Sequence, residues 1–289
     1  MRDDLIHPVI SGNKLRKLWP YLQLAAEGRK GIETYGGPYS NHLVATAFAA
    51  SVYHLPARGY VRGGYAPTST TEACTALGMQ LITSDKNTYT NRKNSIQSSD
   101  SAYISVPEGG KGLTGVEGVK MSFGDQLSPF DEIWLAAGTL TTAIGIALAA
   151  PCARVVAVPV LRAEGEDLMR DYETQFQVKK PENLFFSNGF HFGGYARWDE
   201  DLLAFSNEWF EKTGIMTDLV YTAKSFYAFA QESNSPWNVS KLLIHTGGLQ
   251  GMMGILPQIK KKNLRLVYEA PLVAHLSATH PLPRGSKPE

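Results

Sequence analysis

Glu132-Ile133-Trp134-Leu135-Ala136 runs through Ala137-Gly138-Thr139-Leu140-Thr141-Thr142 into Ala143-Ile144-Gly145-Ile146-Ala147-Leu148-Ala149. Past Glu132 the first segment is apolar without alternation, which reads as a strand covered on both faces. Thr141 to Ala149 is small and apolar all round, as a buried helix is. A buried strand, a Gly/Thr turn and a buried helix make the repeating unit of a parallel α/β sheet. Working outward, the same dense apolar runs recur at Ala57-Arg58-Gly59-Tyr60-Val61, Met79-Gln80-Leu81-Ile82, Tyr103-Ile104-Ser105-Val106, Arg154-Val155-Val156-Ala157-Val158 and Lys241-Leu242-Leu243-Ile244-His245. Helical patterns lie between them, including Asn41 to Ser51 and the amphipathic stretch Asp201 to Lys212. The expected fold is therefore α/β, with open twisted parallel sheets and flanking helices.

At 289 residues the chain can bury two lobes. A hydrophobic share of 43% against 19% charged residues is a globular balance, which argues against disorder. A net charge of +1 argues against a broad nucleic-acid footprint. No apolar run reaches bilayer length, and the N-terminus lacks a basic-then-apolar leader pattern, so no membrane partner is expected. The two cysteines, Cys74 and Cys152, have no paired spacing, and the histidines lack metal-ligand spacing. The expectation is a chain of the reducing cytoplasm with no zinc site. His280 to Glu289, with three prolines, reads as a loop or frayed end.

Parallel α/β sheets bind ligands at the carboxyl ends of their strands. Three loops there are rich in Gly, Ser and Thr: Gly36-Gly37-Pro38-Tyr39-Ser40-Asn41, Ala137-Gly138-Thr139-Leu140-Thr141-Thr142 and Thr246-Gly247-Gly248. All three are expected to line one crevice. The second can cup a phosphate, because helix-start amides and threonine hydroxyls are donors; it can equally be a threonine-capped helix with nothing bound. It is neither a Walker motif nor a dinucleotide fingerprint. Ser40 or Asn41 can cap the next helix, or the same N-terminus can grip a carboxylate. His42 reads as a proton carrier or as a buried hydrogen-bonded ring. Tyr221 can be core or face a reacting carbon. Thr246 can face a ring nitrogen.

The stretch Ser11-Gly12-Asn13-Lys14-Leu15-Arg16-Lys17-Leu18 places a lysine at the mouth of a helical pattern. A lysine amine becomes nucleophilic when neighbouring cations and desolvation lower its pKa, and Arg16 and Lys17 supply nearby charge. Such an amine can hold a carbonyl cofactor as a Schiff base, pyridoxal phosphate being the usual one. The same residues also fit a helix merely decorated with basic side chains. Pro20 fits a helix that starts there, or an interior position if the helix starts nearer Lys14.

Arg2 to Leu18, Tyr39-Ser40-Asn41-His42, Pro107-Glu108-Gly109-Gly110, Gly193-Gly194-Tyr195, Val220-Tyr221-Thr222-Ala223-Lys224 and His245-Thr246-Gly247-Gly248 resemble, in order, the D-cysteine desulfhydrase and 1-aminocyclopropane-1-carboxylate (ACC) deaminase family. That family belongs to the fold-type II, tryptophan-synthase β-like pyridoxal phosphate enzymes. The resemblance implies that Lys14 carries pyridoxal 5'-phosphate and moves the α-proton, and that Asn41 bonds its phenolic oxygen. It further implies Gly138, Thr139, Leu140, Thr141 and Thr142 at the phosphate and Thr246 at the pyridine nitrogen. Ser40, Asn41, His42 and Tyr221 are implied at the substrate, with Lys14, Ser40 and Tyr221 catalytic. A small domain of residues 38–131 is implied, set into a large cofactor domain of residues 1–37 and 132–289, in a homodimer. The chain departs from the pattern at Leu140, where relatives often have glycine and a positive φ is expected to strain the turn, at Ala223, where glycine is common, and at Arg2, ahead of which relatives usually carry a further segment and strand.

Deaminases of the family show Ser-Asn-Gln, Tyr-Glu and a leucine before the Gly-Gly; this chain has His42, Thr222 and Thr246 there. These match the desulfhydrase side. The expected reaction is α,β-elimination of D-cysteine, a small amino-acid substrate, to pyruvate, ammonia and hydrogen sulfide. ACC deamination, or a degenerate cofactor-binding protein with little turnover, stands as the alternative.

Overall fold

Two four-stranded parallel sheets carry the chain in the computed structural model, which describes all residues except 8, 11, 64–66, 95–100, 234–238 and 280–289. The first sheet has the order β3-β2-β1-β4, with β1 Gly31–Gly36, β2 Ala57–Arg62, β3 Met79–Ser84 and β4 Tyr103–Val106. The second has the order β7-β6-β5-β8, with β5 Glu132–Ala137, β6 Arg154–Pro159, β7 Leu184–Phe186 and β8 Lys241–Leu243. Each of the runs read as strands coincides with one of these strands, except that the last is a strand only over Lys241–Leu243, with Ile244 and His245 beyond it. β1 and β7 are additional. β1 is disguised by Glu33, Thr34 and Tyr35, yet every residue in it is buried. Tyr60 Oη donates to Glu33 Oε2 at 3.3 Å, giving that buried carboxylate a partner. Beyond β8, Arg2 forms a parallel bridge with His245.

Helices fill the crossovers. Preceding β1 is α1 (Asn13–Glu27); α2 (Asn41–Val52), α3 (Ser69–Ala76) and α4 (Lys86–Asn94) link the strands of the first sheet. α5 (Leu113–Phe123) leads to the second sheet, where α6 (Thr141–Ala149), α7 (Gly165–Phe176), α8 (Glu200–Thr213) and α9 (Thr222–Glu232) follow. α10 (Leu256–Lys261) and α11 (Glu269–Thr279) close the described chain, and the segment from His280 lies outside it. Among the described residues no helix is long and apolar enough to cross a membrane.

β1 falls outside the small domain expected over residues 38–131. β1 bonds to both β2 and β4, so the first sheet begins at Gly31. We propose one unit around each sheet, with the first unit starting at β1.

α1 starts at Asn13, which leaves Pro20 inside the helix. Proline cannot donate to Arg16 O four residues back. Gly118 of α5 packs on that carbonyl, where a Cβ would stand 2.4 Å from Arg16 O and 2.7 Å from Pro20 Cδ. A second close approach joins α5 to α6 at Gly145, whose Cβ would meet Val119 Cβ at 2.6 Å and Val116 O at 2.9 Å. Glycines thus seat α1, α5 and α6 in one tight layer, which brings the start of α1 and the start of α6 together. Gly145→Ala is expected to cost about 1–3 kcal/mol of stability by overpacking. The measurement is the urea midpoint at unchanged slope.

Candidate active site

A cavity of about 720 Å³ opens at the carboxyl ends of both sheets. The loops after β1, β5 and β8 all line it, as the strand-end rule requires. Lys14, Ser40, Asn41, His42, Gly138, Thr139, Leu140, Thr142, Tyr221 and Thr246 face it together. Thr141 is fully buried just behind the wall.

Lys14 is held at the cavity by its neighbours. Gly12, at φ 69° and ψ −144°, lies so close to the turn after β8 that a Cβ would stand 1.8 Å from Thr246 O. Asn13 N–H then donates to Thr246 O at 3.1 Å, and Asn13 Nδ2 to Thr142 Oγ1 at 3.1 Å. Ser11 lies outside the described residues. Lys14 Nζ donates to Asn13 Oδ1 at 2.7 Å. Part of the side chain remains accessible from the cavity, but loss of hydration around the amine lowers its pKa to about 8. The buried Asp218 carboxylate works against this shift.

The expected role of neighbouring cations at Lys14 needs correction. Arg16 turns away and grips Asp3 with two hydrogen bonds of 2.8 and 2.9 Å, with its guanidinium 3.8 Å over the Phe123 ring. Burial is what depresses Lys14. Lys17 is the partner that sequence reasoning undervalued. It is buried, lines the cavity, and lies near Gly109 O (3.2 Å) and Thr139 Oγ1 (3.4 Å). Burial first, then the Lys14 charge, holds it well below the usual lysine range. The signal was the i,i+3 spacing from Lys14, which puts both amines on one helix face.

Leu140 enters α6 in the left-handed region, at φ 58° and ψ −18°. That is the conformation a glycine there adopts freely. The turn presents the first-turn amides of α6, which have no intrahelical acceptor, with Thr139 and Thr142 hydroxyls beside them. Lys17 completes a set of donors suited to a dianion.

On the facing side, Ser40 is the N-cap of α2, its Oγ accepting from Leu43 N at 3.3 Å. Asn41 Nδ2 donates to Gly248 O at 3.0 Å, while Oδ1 is buried with no hydrogen-bond partner. Gly248 permits this approach, since a Cβ there would meet Asn41 Nδ2 at 2.8 Å. His42 is buried, and its Nε2 lies 2.8 Å from Thr34 Oγ1, which itself donates to Val106 O. Nε2 is therefore the protonated nitrogen and Nδ1 is left without a partner. Burial and the two lysines hold the ring well below the usual histidine range, so it is neutral.

Tyr221 stands at the start of α9, positioned by a carboxylate that the sequence reading did not single out. Buried Asp218 accepts from Val220 N, Tyr221 N and Thr222 N at 3.0, 2.7 and 3.1 Å, and from Thr222 Oγ1 at 2.5 Å. Loss of hydration, with Tyr195, Asp218 and Glu108 nearby, holds the Tyr221 phenol well above its usual range and therefore protonated. Tyr195 meets it edge-on, ring centres 5.8 Å apart. Thr222 binds Asp218 and does not line the cavity, so its contribution to substrate choice is indirect.

No family model matches the chain. A Thermotoga maritima protein provisionally named 1-aminocyclopropane-1-carboxylate deaminase is 28% identical over 282 residues, covering 87% of this chain and 88% of that one. The bifunctional D-cysteine desulfhydrase/1-aminocyclopropane-1-carboxylate deaminase, mitochondrial, of Arabidopsis thaliana is 27% identical, covering 89% and 74%. The chain is a homologue of these proteins. The crystal structure of an ACC deaminase homologue superposes with a TM-score of 0.71 at 24% identity, over 95% of this chain and 87% of that one. The two-sheet fold is that of the fold-type II pyridoxal phosphate enzymes.

Leu140 tests how the anion turn is stabilised. Leu140→Gly relieves about 1–2 kcal/mol of left-handed strain. It also deletes a buried leucine of the second-sheet core, worth about 2–5 kcal/mol. The larger figure wins, so the variant is expected to be less stable in denaturant titration while still binding anions at the turn.

Proposed function

We propose that the chain is a pyridoxal phosphate-dependent lyase that eliminates thiol from D-cysteine, giving pyruvate, ammonia and hydrogen sulfide. The observation that carries this reading is the pairing of Lys14, an amine with a pKa of about 8, with the donor-rich α6 start across one cavity. The residues present fit the cofactor. Lys14 would hold its aldehyde, and the turn from Gly138 to Thr142, with Lys17, would hold its phosphate. The second N–H of Asn41 Nδ2 would donate to the ring's phenolic oxygen, the buried, unpartnered Asn41 Oδ1 is an acceptor for the substrate ammonium, and Thr246 would face the ring nitrogen. When bound, the cofactor supplies an electron sink for the charge left at the substrate α-carbon.

The protein's own groups do the rest. Lys14, neutral above about pH 8, accepts the α-proton. Ser40 and the first-turn amides of α2 bind the carboxylate. His42, neutral, adds no charge beside the substrate. Tyr221 keeps its proton and hydrogen-bonds at the β-substituent. A thiolate leaves without further acid. His42 and Thr246, both on the cavity wall, support the desulfhydrase branch over ACC deamination. The proposal includes a homodimer acting in the cytoplasm, resting on the family resemblance and on two cysteines that are both free.

Supplied with cofactor, the protein is expected to turn yellow and to release pyruvate and sulfide from D-cysteine, more slowly or not at all from L-cysteine, D-serine and ACC. Keto-acid release from ACC alone reverses the branch. Lys14→Ala is expected to lose the colour and the turnover together. Borohydride trapping gives an independent check on the amine. Adduct at Lys14 should rise with pH through a midpoint near 8, because the neutral form attacks. A midpoint near that of an ordinary lysine refutes the role.

A further inference from the structure

Lys224 sits in the first turn of α9, three residues after Tyr221, and is fully buried. The position is unfavourable on two counts. A cation there opposes the helix dipole, and burial strips its hydration. Burial does lower its pKa, to about 8, against the pull of Asp218 and then Asp199. Its hydrogen bonds explain why a lysine is kept. Nζ donates to His191 O at 2.9 Å and to Gly194 O at 2.7 Å, two backbone carbonyls of one turn.

That turn is unusual. Phe192, Gly193, Gly194 and Ala196 all have positive φ, at 50°, 91°, 113° and 55°. Two of them are not glycine, so the conformation carries strain that something must offset. Internal bonds supply part of this: Gly193 N to His191 Nδ1 at 3.0 Å, Gly194 N to His191 O at 2.9 Å and Arg197 N to Gly194 O at 3.1 Å. The ammonium draws the same two carbonyls together from outside the turn. The next residue is Tyr195, which lines the cavity against Tyr221. Lys224 itself does not line the cavity.

We propose that Lys224 is a positioning residue: its ammonium clamps the His191 and Gly194 carbonyls and so fixes Tyr195 against Tyr221. A single helix start then sets both phenols, Tyr221 through Asp218 and Tyr195 through Lys224. The catalytic consequence rests on the function proposed above; the clamp itself does not.

The experiment compares Lys224→Met, Tyr195→Phe and the double variant as cofactor-loaded proteins. Lys224→Met is expected to keep the cofactor band, because its side chain is outside the cavity. Its kcat/KM on D-cysteine should fall about tenfold or more, as expected for a displaced contact group. In the Tyr195→Phe background the same change should cost little further, which a general loss of stability would not produce. Full additivity overturns the positioning role. Amide exchange supplies a readout that needs no turnover. Exchange at Gly193 to Arg197 should accelerate in Lys224→Met while the interior of α9 stays protected, and unchanged exchange overturns the clamp. If Lys224→Met fails to fold, Lys224→Gln, whose shorter side chain keeps an amide donor, takes its place in both measurements, with a smaller fall in kcat/KM and a smaller acceleration of exchange expected and no change in either overturning the clamp. If the wild type takes up no cofactor, the proposed function fails, and the exchange result still decides the clamp.

Discussion

The hydrogen bond from Asn13 N–H to Thr246 O is the contact on which the site depends. It joins the start of the first helix to the turn after the last strand, and it forms only because Gly12 leaves room for that carbonyl. The Asn13 side chain makes a second tie, to Thr142 at the start of α6. One residue thus fixes three chain segments that are remote in sequence. Lys14 follows directly, and its amine rests on the same Asn13 side chain. An amine that approached the cavity from a loose terminus would stay hydrated and cationic. Held here, it loses water and shifts toward the neutral form.

The close layer of α1, α5 and α6 extends the same constraint. Gly118 and Gly145 remove side chains where backbone must meet backbone, so the helices approach more nearly than larger residues would allow. Arg16 secures the outer side of α1 through Asp3 and Ser122. It therefore serves packing, while Lys17, one residue on, turns inward to Thr139. Adjacent basic residues are assigned opposite tasks by which face of the helix they occupy.

Much of this was readable from the residues. The strand-turn-helix unit at 132–149 announces a parallel sheet, and the rule for strand ends selects the loops that meet. The glycine that the resemblance implies at position 140 points to a left-handed turn, and Leu140 has φ 58°. Other features depend on partners that local pattern does not reveal. β1 was obscured by polar residues whose burial is supported by Tyr60 on a neighbouring strand. The start of α1 was ambiguous because proline suits a first turn, and Gly118, which receives the interior Pro20, comes from a distant helix. Arg16 was read as a charge acting on Lys14 because Asp3, thirteen residues earlier, was not recognised as its partner. Thr222 was read as a substrate marker, yet its hydroxyl belongs to the cap built on Asp218.

The electrostatic state of the cavity follows from these placements. Lys14, Lys17 and His42 are all pushed toward neutrality by burial, and Tyr221 is pushed toward keeping its proton. The fixed charges on the wall therefore lie elsewhere, at Arg62 and at Lys93, which pairs with Glu108 at 2.8 Å. A dianion seated on the first turn of α6 reverses the shift at Lys17, because an opposite charge favours the protonated amine. Once Lys17 is cationic, its proximity to Lys14 favours the neutral form there. In the function proposed, one dianion would in this way drive two lysines one helical turn apart into different states, Lys17 as a fixed counter-charge and Lys14 as the reacting amine.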